Sequence, residues 1–115
     1  MIELTGKQKR FLRSRGQELD LAVKIGKAGL TEGLVRNVVG ILERTELIKV
    51  HLPAGKADER EAVAEELAAK TGAACAGVLG RTALLYRPNE KLPPDQRLHP
   101  PAGEPAADDS AEESQ

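Results

Sequence analysis

Gly26-Lys27-Ala28-Gly29 is the one segment whose residue types and spacing suggest a ligand. Two glycines around a cation let a backbone take φ > 0 and let a ligand approach without meeting a Cβ. A helix beginning just after such a turn adds unpaired N–H groups and a positive dipole end. A phosphodiester backbone suits that arrangement, as in KH domains, whose GxxG loop clamps nucleotides. Taken alone, the four residues are more simply a tight turn feeding a helix. Neither G-x-x-x-x-G-K-[ST] nor G-x-G-x-x-G occurs, so no P-loop or dinucleotide fingerprint is present.

A second cluster holds Lys7, Lys9, Arg10, Arg13 and Arg15, five cations within nine residues. Each phosphate they neutralise would release counterions and make binding salt-dependent; the alternative is a solvated helix face. Arg36, Lys49, Arg81 and Arg87 are scattered cations, of which Arg36 and Arg81 join the candidate RNA contacts. Catalytic sets are missing. Glu59, Glu61, Glu65 and Glu66 fall on the exposed side of a helix, with no apolar pocket to raise a carboxyl pKa. Cys75, the single cysteine, sits in an apolar strand and reads as a small core residue. His51 alternates with apolar neighbours and reads as surface-facing; His99 is far away. No Ser/His/Asp or Cys/His set and no metal-ligand spacing can be assembled, so neither an enzyme, a cofactor nor a metal is expected. The two aromatics, Phe11 and Tyr86, cannot form the stacking platform of an RRM sheet or OB-fold. Recognition should rest on backbone and shape.

These residues must be positioned by a small fold. The chain has 115 residues, 30% charged and 40% hydrophobic, one domain's worth. Its net charge of −1 conceals a split. Residues 1–88 carry 15 Lys+Arg against 11 Asp+Glu, a charge of +4; residues 89–115 carry 2 against 7, a charge of −5. A basic unit and an acidic tail are therefore expected, the former suited to a polyanion. From Pro88 onward lie six of the seven prolines and few large apolar residues. Residues 89–115 are expected to be a disordered acidic, Pro-rich tail, leaving 1–88 as the folded unit. The N-terminus lacks the apolar stretch of a signal peptide, and no apolar run approaches ~20 residues, so a soluble cytoplasmic monomer is expected.

Thr5 and Gln8 fit a capping box opening a first helix that ends near Gly16. Residues 21–25 read as a strand running into the glycine loop. Thr31 caps a second helix to about residue 44, with Leu34, Val35, Val38, Val39 and Leu42 at helical spacing. A strand over 47–52 follows, then a helix over 58–70 closed by Gly72, then strands over 74–79 and 82–86 about a Gly80-Arg81 turn. The expected fold is α/β, α-β-α-β-α-β-β, with a mixed four-stranded sheet packed by helices.

The blocks Leu4-Thr5-Gly6-Lys7-Gln8-Lys9, Ile25-Gly26-Lys27-Ala28-Gly29-Leu30-Thr31-Glu32-Gly33, Glu46-Leu47-Ile48-Lys49-Val50, Leu79-Gly80-Arg81-Thr82 and Leu84-Leu85-Tyr86-Arg87-Pro88 occur in order. Together they resemble the CRM domain (chloroplast RNA splicing and ribosome maturation), in its bacterial stand-alone YhbY form. The resemblance implies a non-catalytic RNA-binding module with a fold similar to the C-terminal domain of translation initiation factor three. It also implies a partner RNA in precursors of the large ribosomal subunit, and an RNA contact through Gly26, Lys27, Ala28 and Gly29. A protein-interaction adaptor, its basic face on an acidic partner, is the alternative.

Overall fold

In the computed structural model, residues 3–101 are described. The elements are α1 (Gly6–Gly16), β1 (Leu21–Lys24), α2 (Glu32–Thr45), β2 (Leu47–His51), α3 (Ala57–Thr71), β3 (Ala74–Leu79) and β4 (Thr82–Tyr86), followed by a 3-10 turn, Pro94–Gln96. The expected class and element order are those observed.

Local chemistry accounts for most boundaries. Gln8 N donates to Thr5 Oγ1 at 3.1 Å and Thr5 N to Gln8 Oε1 at 3.0 Å, a reciprocal cap that satisfies two orphan donors. Thr31 Oγ1 accepts from Leu34 N at 3.1 Å and starts α2. Gly72 ends α3 in the left-handed region, φ 71°. Gly80 takes φ 58° in the β3–β4 turn, and Arg81 does not share that conformation, as a glycine-first hairpin requires.

The strand order is β1-β2-β4-β3. β1 runs parallel to β2, and β4 is antiparallel to both β2 and β3. The second crossover therefore skips a position, and the last strand fills the gap it leaves. One face of the sheet presents Val23, Ile48, Val50 and Leu85 to Val38 and Leu42 of α2 and to Ala64, Leu67 and Ala68 of α3. Small alanines bring α3 close to the sheet. The opposite face presents Leu47, Ala76, Leu84 and Tyr86 to Leu12 of α1.

α1 lies tight on that face because Gly16 has no side chain. A Cβ there would sit 2.5 Å from both Leu84 Cδ atoms, and Leu84 is buried. Gly16→Ala is expected to destabilise by about 1–3 kcal/mol through overpacking. Gly40→Ala, whose methyl would meet nothing nearer than Arg44 Nη1 at 3.8 Å, is expected to stabilise α2 by ~0.5–1 kcal/mol. Urea denaturation of both variants checks the contrast.

The described chain does not end its packing at Pro88, where the sequence reading placed the end of the folded unit. Residues 89–101 form a strap organised around Glu46, which is fully buried. Glu46 follows α2 with φ 66°, a conformation usually left to glycine. Its Oε2 accepts from Asn89 N at 2.5 Å and Arg97 Nε at 3.0 Å, and its Oε1 from Leu98 N at 2.7 Å. Asn89 Nδ2 also donates to Glu43 O, and Gln8 Nε2 to Pro101 O. Leu98 packs against the α1 cluster. Composition registers apolar content, whereas this segment is held largely by donors converging on one carboxylate. Residues 102–115 of the expected tail lie outside the described residues.

Candidate nucleic-acid interface

β1 delivers the glycine loop to one edge of the sheet, and three connections gather there. Lys24 pairs with His51, His51 with Thr82, and Thr82 with Leu79, so these four side chains form the last row across all four strands. Ile25 N donates to His51 O at 2.9 Å, carrying the chain from that row into the loop. The β2–α3 connection meets the hairpin: Leu52 N donates to Arg81 O, and Arg81 Nε to Leu52 O at 3.1 Å. The edge is the one at which the parallel strands end, where open α/β sheets place their ligands.

The loop is a tight turn closed by Gly29 N donating to Gly26 O at 3.0 Å. Gly26, Lys27 and Ala28 are exposed. The two glycines differ. Gly29 has φ 75° and is required by the turn itself. Gly26 has ordinary backbone geometry and no heavy atom within 4 Å of where a Cβ would stand, so the free fold does not explain it. Glu32 occupies the first turn of α2 and sets one negative charge beside the loop.

The cations of α1 do not share one face. Arg13 lies along the sheet, its Nη1 donating to Ala76 O at 3.3 Å and its Cδ 3.1 Å from where a Gly77 Cβ would stand. Lys9 lines two clefts that also hold Glu65. Arg15 sits over the Phe11 ring, 5.7 Å from its centroid. Lys7 and Arg10 each have interaction partners. Arg36, one turn into α2, lies beside Glu32 and Lys70. The structure thus brings Lys27 and Arg81 to the strand-end side, sets Arg13 between the cleft that reaches that side and one lined by Asp58, Glu61 and Glu65, and leaves Lys9 and Arg36 among acids or on another surface.

Two cations at or near this edge are not among the candidate RNA contacts of the sequence, where Lys49 reads as a scattered cation. Lys24 is exposed in the last row. Lys49 is on the same face of β2 as His51, and its Nζ donates to Leu19 O at 3.1 Å. Alternation along β2 was the available signal, but it does not say which face α1 leaves open. His51 is half-buried, and its Nδ1 is shielded with no partner among the described residues. Burial pushes the Cys75 thiol above its ordinary value, which keeps it protonated and unreactive. No group of three or more His, Cys, Asp or Glu among the described residues could hold a metal ion.

Comparison with known proteins agrees with the fold. The model of the CRS1 / YhbY (CRM) domain matches residues 4–87. The chain belongs to the CRM-domain family. Within that family it is 34% identical to "Probable RNA-binding protein YqeI" of Bacillus subtilis over 88 residues, 76% of this chain and 92% of that protein. It is 33% identical to an "RNA-binding protein" of Haemophilus influenzae over 79% of this chain and 92% of the relative. The solution structure of SAV1595 from Staphylococcus aureus superimposes with a TM-score of 0.71 at 35% identity, covering 85% of this chain and all of that one. The CRM match takes in every helix and strand but stops before the strap. No helix among the described residues is long and apolar enough to cross a membrane.

Proposed function

We propose that this CRM-domain protein is a non-catalytic, monomeric RNA binder that acts in the cytoplasm on ribosomal RNA of large-subunit precursor particles. The observation that carries the RNA contact is the exposed glycine turn, open at Gly26 and placed among Lys24, Lys27 and Arg81 at the strand ends. Phosphates would rest on the loop backbone, with Lys27 at its tip and the unpaired N–H groups of the first turn of α2 behind it. Lys7, Lys9, Arg10, Arg13, Arg15 and Arg36 are the wider candidate contacts, and Arg13 is the best placed of them. The names of the relatives support RNA as the ligand class; the ribosomal precursor comes from the family resemblance.

Gly26 supplies the test. Gly26→Ala should leave urea stability unchanged, because the methyl meets no atom of the free protein. It should weaken binding to structured ribosomal RNA by about tenfold, the equivalent of one charge-assisted hydrogen bond lost. Gly29→Ala should instead cost stability, about 1–2 kcal/mol for a side chain held at φ 75°. Wild-type RNA affinity in Gly26→Ala would remove the phosphate role of the loop. Sedimentation of a cell lysate tests the particle: the protein should travel with large-subunit precursors, and its absence from them would refute the ribosomal assignment.

A further inference from the structure

α1 ends at Gly16, before it reaches the last row of the sheet, and a cleft of about 640 Å³ remains between helix and strands. Its floor is aliphatic, from Leu79 and Leu84, with Gln17 and Thr82 as neutral polar groups; Val78 borders it but packs its side chain on the other face of the sheet. Leu79 is 86% exposed, and Leu21 is the other exposed large apolar side chain among the described residues. Arg13 and Lys49 flank the cleft. No acidic residue lines it among the described residues, whereas the two clefts on the α3 side of α1 contain Glu3, Asp58, Glu61 or Glu65.

Both flanking cations are anchored before any ligand arrives. Arg13 donates to Ala76 O, and Lys49 to Leu19 O. An arginine has five N–H donors and a lysine three, so each keeps donors to spare. Gly77 lets the Arg13 stem lie against the strand, since a Cβ there would crowd its Cδ to 3.1 Å. The strand register shifts between Cys75 and Gly77, and Gly77 lines this cleft. The volume lies within the ~300–1,000 Å³ range of small-molecule sites. The ligand that matches is flat and apolar on its face, polar at its edge and flanked by negative charge.

We propose that this cleft is a base-binding subsite for single-stranded RNA, joined to the glycine loop by the row Leu79, Thr82, His51 and Lys24. The proposal rests on the RNA-binding function above. Three strand spacings separate Leu79 from Lys24, about 14 Å. That distance spans roughly four stacked nucleotides at ~3.4 Å each. One unstacked base lies on Leu79 and Leu84, beneath or beside the planar Arg13 guanidinium, a surface on which bases stack when aromatics are lacking. Gln17 and Thr82 meet its polar edge. Lys49 and Lys24 neutralise the flanking phosphates. The subsite thus supplies the base contact that Phe11 and Tyr86 cannot, because Tyr86 is buried and Phe11 lies under Arg15.

Fluorescence anisotropy on the full chain tests this with three probes: a single-stranded RNA, the same strand carrying abasic positions, and its duplex. Gln17→Ala/Leu79→Ala changes two exposed side chains and should not disturb folding. Its affinity for the single strand should fall roughly five- to tenfold, the low end of a lost base contact. Its duplex affinity should stay within twofold. Wild type should lose the same factor on the abasic strand, with no further loss in the double variant. Arg13→Lys, which keeps the charge and loses the plane, should show the same preference for single-strand loss. Equal losses on single strand and duplex, or none, overturn the subsite while leaving RNA binding standing. A wild-type protein that binds none of the three RNAs overturns both. Leu79-dependent binding of poly-glutamate in place of RNA overturns the subsite in favour of an acidic peptide.

Discussion

Glu46→Ala is expected to destabilise the protein by about 3 kcal/mol and to release the strap over residues 89–101. The carboxylate is fully buried and accepts from Asn89 N, Arg97 Nε and Leu98 N. Removing it orphans two backbone donors, at ~1–3 kcal/mol each if they stay dry. The loss is capped by the free energy of docking the strap, because the strap can leave and recover water. Alanine also keeps the left-handed backbone at φ 66°, a conformation that the carboxylate contacts now offset. Glu46→Gly relieves that backbone and loses the same contacts, so it should fall between wild type and Glu46→Ala. Against typical stabilities of ~5–15 kcal/mol, the effect is large. Urea denaturation measures it, and hydrogen exchange should show Asn89 and Leu98 amides exposed while β2 and β4 stay protected. A loss below about 1 kcal/mol would mean that the strap contributes little. Truncation after Pro88 should reproduce the Glu46→Ala loss, since it removes all three donors, whereas truncation after Pro101 should not.

Removing Arg13, Lys24 and Lys27 together, each to alanine, is expected to weaken RNA binding by roughly 100-fold at low salt. The figure takes ~1 kcal/mol for each phosphate contact, a modest value suited to exposed groups. The dependence of log K on log[salt] should flatten by about two units, at ~0.7 per contact for a single strand. The three cations lie along the strand-end row and its flanking helix rather than on α1 alone. The control is Arg44→Ala/Lys70→Ala/Lys91→Ala, which removes the same charge. Arg44 and Lys70 stand in the last turns of α2 and α3, away from the row. Filter binding across a salt series separates the two triples. If both weaken binding equally, the contact is net charge rather than a site, and the strand-end location is wrong.

The residues most legible in the sequence are those whose chemistry is satisfied within a few positions. Thr5 with Gln8, Thr31 with Leu34, Gly72 and Gly80 each meet their partners one turn away. Their elements begin and end within a residue or two of the positions expected. The glycine loop was legible for the same reason, since its turn closes between Gly26 and Gly29. The separation of Gly29, needed by the fold, from Gly26, left over by it, was not. Both are glycines in one motif, and only the surrounding atoms distinguish them.

Local signals and block order determined the family, the α/β class, the element order and the exposed loop. Tertiary structure alone decided which sheet face α1 covers and where it stops, and hence that Lys49 and Arg13 border one cleft while Lys9 lines clefts that hold Glu65. It also decided that β4 inserts between β2 and β3, and that Glu46 gathers a segment more than forty residues away in sequence. The physical reason is one of range. Caps, turns and periodicity are settled by backbone chemistry over three or four residues. Strand order, face coverage and a shared buried carboxylate are settled by close packing between distant segments, which no short stretch of sequence contains.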